Sequence, residues 1–523
     1  EFLKGNFLQS MYMAPTDEFE ISDVIANLKN TNSKGYDDIP VNLIKACSMG
    51  LRSILSYLNN QSFLDGIFPN ALKTAKVIPI FKSEDSNCVS NYRPISVLST
   101  FSKITEKLVY KRLNKYLTDN AILHMNQYGF REKLSTCMAL LKLTENISRS
   151  IDNGDITIGV FIDLAKAFDT VDHPILLQKL DHYGIRGVVN SWFTSYLTNR
   201  NQYVLINKSK SKLSLIKCGV PQGSILGPIL FLIYINDLNH VSNILQTIMF
   251  ADDTNLFLSG KNLQTLEHQL IMELNKVSEW FNTNLLSLNI KKTSYIMFSH
   301  RRNLTINIFF ANTIINKVDD TKFLGVIISS NLNWNKHIDV ITNKISKTTG
   351  IIAKVRHLLP SNVTRTLYLI LVEPYLNYCN IVWARANSTV NLEKIFKIQK
   401  IYVRLITFSA YRAHSAPLFK QLCILSVYQI YKHQLALFMF KKLNNLLPIT
   451  ASFPCLVNSS IHNHFTRCHD QIHLSYCRTR TRQMTVSYQG PSLWNTLPAS
   501  IRNLKSFYVF KRLVKNCLIQ NKI

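Results

Sequence analysis

Thr247-Ile248-Met249-Phe250-Ala251-Asp252-Asp253-Thr254-Asn255-Leu256-Phe257-Leu258 is the stretch on which the reading of this chain turns. Two short runs rich in Ile, Phe and Leu flank a polar Asp-Asp-Thr, the pattern of two strands joined by a tight turn. Adjacent carboxylates at the tip of a buried hairpin repel each other and resist desolvation unless a cation sits between them and a third acid. Two-metal phosphoryl or nucleotidyl transfer needs that arrangement. An ordinary hairpin turn can carry the same pair, so the partners decide between the two readings.

Val160-Phe161-Ile162-Asp163-Leu164 offers a third acid at the end of an apolar strand. Such an acid is costly unless it is paired or liganding, although a helix N-cap would also explain Asp163. An aromatic follows five residues later, in Ala165-Lys166-Ala167-Phe168-Asp169; Asp169 and Asp172 read as turn or capping acids. A third element is Gly219-Val220-Pro221-Gln222-Gly223-Ser224-Ile225-Leu226-Gly227-Pro228. Glycines on both sides of Gln222 let backbone approach a planar ligand while the amide stays free to hydrogen-bond.

The chain has 523 residues, 46% hydrophobic and 11% aromatic, enough for two or three subdomains with real cores. Its 60 Lys and Arg against 32 Asp and Glu give a net charge of +28, spread along the chain, which points to a polyanionic partner such as nucleic acid. No basic amphipathic anchor stands out, the apolar run Gly227 to Ile235 is far too short to span a bilayer, and no signal peptide opens the chain. No membrane association is expected. Ten cysteines without C-x-x-C pairs suit a reducing compartment. The start at Glu1 suggests a fragment of a longer product.

Local patterning predicts a strand at 75–81, a helix over Thr100 to Leu117, a strand at 158–163 and helices at 173–183 and 189–198. A hairpin is expected from 202–206 and 213–218, a helix over Gly223 to Ile235, the Asp-Asp hairpin at 247–258, a helix at 262–282 and a strand at 294–298. Helices should dominate 336–445, with Ile338, Ile341, Ile345, Ile352 and Val355 as a core-facing stripe. From about 451 the texture is irregular and rich in His, Cys and Arg. Cys455, His462, His464, Cys468, His469, His473 and Cys477 could include zinc ligands, but the lack of a C-x₂₋₄-C pair argues against zinc. Arg478, Arg480 and Arg482 alternate like strand residues, suited either to RNA phosphates or to a solvated face.

Asp163 with Ala167-Phe168-Asp169, then Gly219-Val220-Pro221-Gln222-Gly223-Ser224, then Phe250-Ala251-Asp252-Asp253 resemble motifs A, B and C of reverse transcriptases, in detail those of non-LTR, jockey-like LINE retrotransposons. Ser33-Lys34-Gly35-Tyr36-Asp37 and Asn91-Tyr92-Arg93-Pro94-Ile95-Ser96 resemble the fingers motifs, and Gln127-Tyr128-Gly129-Phe130-Arg131 with Ser135-Thr136 the segment before motif A. Leu288-Asn289-Ile290-Lys291-Lys292-Thr293 is similar to motif D, and Phe323-Leu324-Gly325 to the primer-grip motif. The likeness is strong over roughly 20–360 and weaker through Tyr378-Cys379 and Trp383 to Trp494-Asn495-Thr496-Leu497-Pro498.

The resemblance implies an α+β right-hand polymerase with fingers, an antiparallel-sheet palm and a helical thumb. Its boundaries would be an N-terminal extension and start of fingers at 1–60, fingers and palm at 61–310, primer grip and thumb at 311–450, and a basic C-terminal region at 451–523. It implies RNA-directed DNA synthesis from a DNA primer 3′-hydroxyl with dNTPs, on an element RNA template. Asp163 and Asp252 would bind two Mg²⁺ ions (or Mn²⁺), with Asp253 assisting and the Leu164 carbonyl adding a ligand. Phe168 would exclude a ribose 2′-hydroxyl. Lys82 and Arg93, with Lys76 as a further candidate, would meet the triphosphate, Gln222 and Gly223 the nucleotide or template. Lys292 would act as general acid on pyrophosphate, and Phe323, Leu324 and Gly325 would place the primer. An endonuclease would lie outside this fragment, and action in the nucleus is expected. The alternatives are a decayed, nucleic-acid-binding remnant, against which the intact acids, Phe168 and Gln222 argue, and an RNA-templated RNA polymerase, which would carry a small or polar residue where Phe168 stands.

Overall fold

The computed structural model describes residues 2–522, apart from 83–84, 302–303, 385–388, 449–452, 454 and 462–469. At its centre lies a strand that is buried from end to end, β3 (Ile156–Ile162). Its β-branched sequence suits a pleated strand, and successive side chains leave on opposite faces. It is flanked by antiparallel β8 (Asp253–Gly260) and β9 (Ser294–Phe298), with β7 (Gln246–Phe250) beyond β8 and the short β12 (Asn316–Lys317) beyond β9. All pairings are antiparallel except β12 with β9, so the expected antiparallel sheet carries one parallel edge.

Both faces of this sheet are covered. Ile156, Ile158, Val160 and Ile162 of β3, Leu256 and Leu258 of β8, and Tyr295 and Met297 of β9 enter one core. That core is completed by the helices Thr100–Asp119, His173–His182, Val188–Leu197, Gly227–Tyr234 and Leu263–Thr283. Phe161, Phe257, Ile296 and Phe298 point the other way, into a second core. The helices Thr136–Asp152, Asn335–Val355, Thr389–Ile406 and Val427–Leu443 build it. Gly159 makes the close packing possible, because a Cβ there would lie 2.5 Å from the Phe257 ring.

A second sheet holds β1 (Thr74–Phe81) between antiparallel β2 (Tyr92–Val97) and parallel β4 (Arg200–Ile206), with β5 (Ser209–Lys210) and β6 (Ser214–Ile216) returning against β4. Further along, β10 (Phe309–Phe310) and β11 (Thr313–Ile314) form one hairpin, and β13 (Asp320–Phe323) and β14 (Val326–Ser329) another. The mixture of helix and sheet is the α+β class expected from the sequence.

Most predicted elements stand within a few residues of their expected bounds. The helix expected from Gly223 begins only at Gly227, because 221–226 is a tight loop preceding it. The stripe in Asn335–Val355 buries Ile338, Ile341, Ile345 and Ile352 as expected, while Val355 at its end is only half-buried. Arg478, Arg480 and Arg482 are not strand residues: Arg480–Gln483 is a helical turn capped by Thr479. Tertiary bonds override the local alternation there, since Arg482 pairs with Glu145 at 2.5 Å and Arg478 donates to the Asp152 carbonyl at 2.8 Å. The region expected to be irregular also contains the helices Val486–Thr496 and Phe507–Ile519, whose Trp494, Phe510, Val514 and Leu518 extend the second core. Of the His and Cys residues there, 462–469 lie outside the described residues; Cys477 donates to the Ser475 carbonyl and His473 contacts Asn458.

His337 gives this core a pH dependence. Burial, helped by the Lys344 charge, holds its pKa down at about 4; Nδ1 faces the Ile327 N–H at 3.4 Å and the ring stands edge-on to Trp383. The unfolded imidazole titrates near 6.5, so between the two values the unfolded chain binds the extra proton. Stability from this group is therefore complete above about pH 6.5 and lost as pH falls toward 4, by up to about 3 kcal/mol. Denaturant midpoints measured across that window should fall with pH, and His337→Phe should flatten the slope.

Candidate active site

The turn between β7 and β8 pairs Phe250 with Asp253 and leaves Ala251 and Asp252 as its two central residues. Ala251 has φ +56°, the left-handed conformation that two-residue hairpin turns demand. A non-glycine residue pays for that conformation, so something must hold it. The holder is Gln127, nearly fully buried, whose Oε1 accepts from the N–H groups of Ala251 and Gly129, both at 2.9 Å. The backbone beside it runs along the outer edge of β7, with Met249 N–H to Asn126 O at 3.0 Å and Tyr128 N–H to Met249 O at 2.8 Å. Gly129 is required by contact, because a Cβ there would come within 2.4 Å of the Ala251 nitrogen.

Asp163 follows β3 directly, and Ile162 is paired with Thr254, so its carboxylate emerges beside the Asp252-Asp253 turn. The three acids interact through space. Burial raises the pKa of Asp252, the Asp163 charge raises it further, and the Arg93 and Lys82 cations pull it back. Asp253 is pushed up to about 6 by the protein crowded around it and by the charges of Asp252 and Asp163, although its outer edge meets solvent. None of the three makes an ion pair with Lys or Arg among the described residues. Nor, among those residues, do any three His, Cys, Asp or Glu side chains converge into a closed ligand set. The donors nevertheless have the chemistry that Mg²⁺ takes: hard carboxylate oxygens, mutually repelling and lacking a protein cation.

Lys82 and Arg93 lie at the ends of β1 and β2 that face these acids; Arg93 is opposite Ile80, and the Lys82 N–H donates to Asn91 O at 2.9 Å. Lys76 sits at the other end of β1, mostly buried and 3.5 Å from Asp38. Phe168 stacks on Phe231 at 4.5 Å and meets Phe130 edge-on at 6.2 Å, half-buried with its ring held between core and site. Gln222 donates from Nε2 to Asp169 at 2.9 Å, and its carbonyl accepts from Ser96 of β2 at 2.8 Å. Asp169 is thus more than a turn acid, whereas Asp172 caps its helix by accepting from the Ile175 N–H at 2.9 Å, as expected. Gly223, at φ +124°, has the Ser96 carbonyl where a Cβ would be, which locks this loop to the strand carrying Arg93.

Lys292 is exposed, in a loop fastened to Asp163. Leu164 bridges Leu288 through the Ala165 N–H to Ser287 O bond and the Asn289 N–H to Asp163 O bond, a ladder that does not use the Leu164 carbonyl. Phe323 is buried against Phe161, and Leu324 and Gly325, at φ +46° and +78°, form the turn of the β13–β14 hairpin. Tyr378 fixes that turn by donating to the Leu324 carbonyl at 2.7 Å.

Three functional supports escaped the sequence reading of roles: Gln127, Asn289 and Glu106. Glu106, fully buried, accepts from the N–H groups of Ile225 at 2.6 Å and Leu226 at 3.3 Å, and so holds the loop that carries Gln222. A Glu on the apolar side of a predicted helix is the one local signal that pointed to it.

With this geometry, residues 80–328 match the family model described as reverse transcriptase (RNA-dependent DNA polymerase). Those residues are a reverse transcriptase domain. The chain is 28% identical over 447 residues to the probable RNA-directed DNA polymerase from transposon BS of Drosophila melanogaster, covering 81% of this chain and 48% of that protein. It is 26% identical over 419 residues to the RNA-directed DNA polymerase from mobile element jockey of the same fly, covering 78% and 45%. A type-1 retrotransposable element R2 polyprotein of Popillia japonica is 28% identical over 243 residues, covering 44% and 33%. The domain belongs with those of LINE-type, non-LTR retrotransposons. The chain spans about half the length of the two Drosophila melanogaster relatives.

The contact between Gly129 and the turn yields a direct test. Gly129→Ala should cost about 1–3 kcal/mol through overpacking against backbone, read as a lower urea midpoint, and should displace Asp252 enough to depress activity beyond that loss of folded protein.

Proposed function

We propose that this chain is the RNA-directed DNA polymerase portion of a LINE-type retrotransposon product, copying element RNA from a DNA primer 3′-hydroxyl with dNTPs. The observation that carries the reading is the gathering of Asp163, Asp252 and Asp253 at one end of the central sheet, facing Lys82 and Arg93 but in no ion pair with Lys or Arg among the described residues. In this reading the central sheet is the palm, the β1–β2–β4 sheet belongs to the fingers, and the helices after β14 form the thumb. Residues 1–60 extend the fingers, and 451–523 form a basic C-terminal region from which described residues such as Ile472, Trp494 and Phe510 join the second core.

Asp163 and Asp252 would hold two Mg²⁺ ions, with Asp253 and the Leu164 carbonyl assisting. The metals supply activation of the primer hydroxyl and neutralisation of charge on the triphosphate. The protein's own groups do the rest. Lys82 and Arg93 orient the triphosphate, the guanidinium in bidentate fashion and the ammonium as a point charge. Phe168, braced by Phe231 and Phe130, leaves no room for a ribose 2′-hydroxyl. Gln222, steadied by Asp169, meets the nascent pair, and Lys292 delivers a proton to the departing pyrophosphate. The β13–β14 turn positions the primer strand. A DNA target, an endonuclease elsewhere in the full product and action in the nucleus complete the proposal.

The test is extension of a DNA primer on an RNA template with dNTPs and Mg²⁺. Asp252→Ala should lower single-nucleotide incorporation at least about a hundredfold, the scale of losing a major electrostatic stabiliser; a wild-type chain that does not extend would sink the reading. Phe168→Ala should admit ribonucleotides, seen as a dNTP/rNTP efficiency ratio falling about tenfold or more, on the scale of a lost pocket wall. An unchanged ratio would remove Phe168 from that role.

A further inference from the structure

Asn289 contacts Asp163 twice. Its side-chain Nδ2 donates to Asp163 Oδ2 at 2.9 Å, and its backbone N–H donates to the Asp163 carbonyl at 2.8 Å. The circuit closes through Thr293, whose hydroxyl donates to the Asn289 carbonyl at 3.0 Å and lies 3.4 Å from the Asp163 nitrogen. The next turn of the same loop is set by the Lys292 N–H bonding to the Asn289 carbonyl at 3.1 Å. One residue therefore fixes the backbone and the carboxylate of Asp163 and also begins the turn that carries Lys292.

The chemical identity of this partner matters. A lysine or arginine at the same place would neutralise Asp163 and compete with any metal for it. An amide N–H orients the carboxylate and strengthens its hold without cancelling its charge, as neutral groups behind metal ligands generally do. None of these acids makes an ion pair with Lys or Arg among the described residues, so no protein cation takes the place of a divalent ion.

We propose that Asn289 is a positioning residue that sets the divalent-metal affinity of the acid cluster by holding Asp163 with a neutral donor, and that it ties the Lys292 loop to the same carboxylate. This rests on the reading of Asp163 as a metal ligand. The backbone bond from Asn289 to Asp163 survives any side-chain change, so the loop keeps its anchor when the amide is removed.

The experiment uses the full chain and four forms of it: wild type, Asn289→Ala, the near-isosteric Asn289→Leu, and Lys291→Ala as a neighbour in the same loop. Mn²⁺ binding is followed by the EPR signal of the free ion, and single-nucleotide extension is titrated with Mg²⁺. Both Asn289 variants should bind Mn²⁺ about tenfold more weakly or worse, on the scale of losing a group behind a metal ligand. They should need proportionately more Mg²⁺ for half-maximal extension, with KM for primer–template unchanged. Lys291→Ala should match wild type in both assays. Asn289 variants with wild-type Mn²⁺ affinity and Mg²⁺ requirement overturn the inference, as does an equal loss in Lys291→Ala. A change in one Asn289 variant alone also overturns it, because the amide donor is absent from both. A wild-type chain that neither binds Mn²⁺ nor extends overturns the polymerase reading itself, whereas an active wild type matched by its Asn289 variants overturns only this one.

Discussion

Repulsion among Asp163, Asp252 and Asp253 is the constraint around which the rest of the molecule is arranged. Both members of the turn pair have raised pKa values, first because burial penalises their charged forms and then because their neighbours carry like charge, and both effects work against folding. The opposing force is the burial of β3 on both faces, between two large apolar cores. At about 25 cal/mol per Å² of apolar surface removed from water, a strand of Ile, Val and Phe covered on both sides outweighs the strain at its tip. The price is confined to the place where chemistry is expected, a familiar trade between stability and activity.

The supporting interactions share one character. Around the acids none of them is a cation: Gln127 holds the Ala251 turn, Asn289 holds Asp163, and the Gln222 loop is held by Ser96 and Glu106. Cations are kept at the distance of Lys82 and Arg93, where they moderate the field without closing an ion pair. Elsewhere in the chain the pairing is direct, as in the buried Lys179–Asp237 bridge at 2.6 Å. A net charge of +28 therefore coexists with a small cluster of acids at the sheet end, a contrast that the proposed binding of a polyanion around a metal-dependent centre would use.

The legibility of this arrangement in the sequence followed the range of the interactions. The apolar runs at 158–163 and 247–258 announced the central strands, and the helical stripe at Ile338, Ile341 and Ile345 announced its helix, because those signals are local. The ordered motifs pointed to the acids, Phe168 and Gln222. The roles of Gln127, Asn289 and Glu106 were hidden because each acts on a partner more than 100 residues away, and an amide or a lone Glu carries no period. The arginines after Cys477 misled for the same reason: their alternation looked like a strand, but Glu145 and Asp152 on a distant helix decided their conformation.

That last contact bears on where a working polymerase unit can end. The match to the reverse transcriptase family stops at residue 328. Yet the helix Thr136–Asp152, which roofs the central sheet, is itself covered from the far end of the chain: Glu145 takes bonds from Arg482 and from Ser487, and Asp152 from Thr479. Trp494 and Phe510 complete the core beneath it. Cutting the chain at the motif boundary would uncover a large apolar surface and strand two acids whose partners had been removed. The unit of evolution marked by the motifs is thus smaller than the unit of folding.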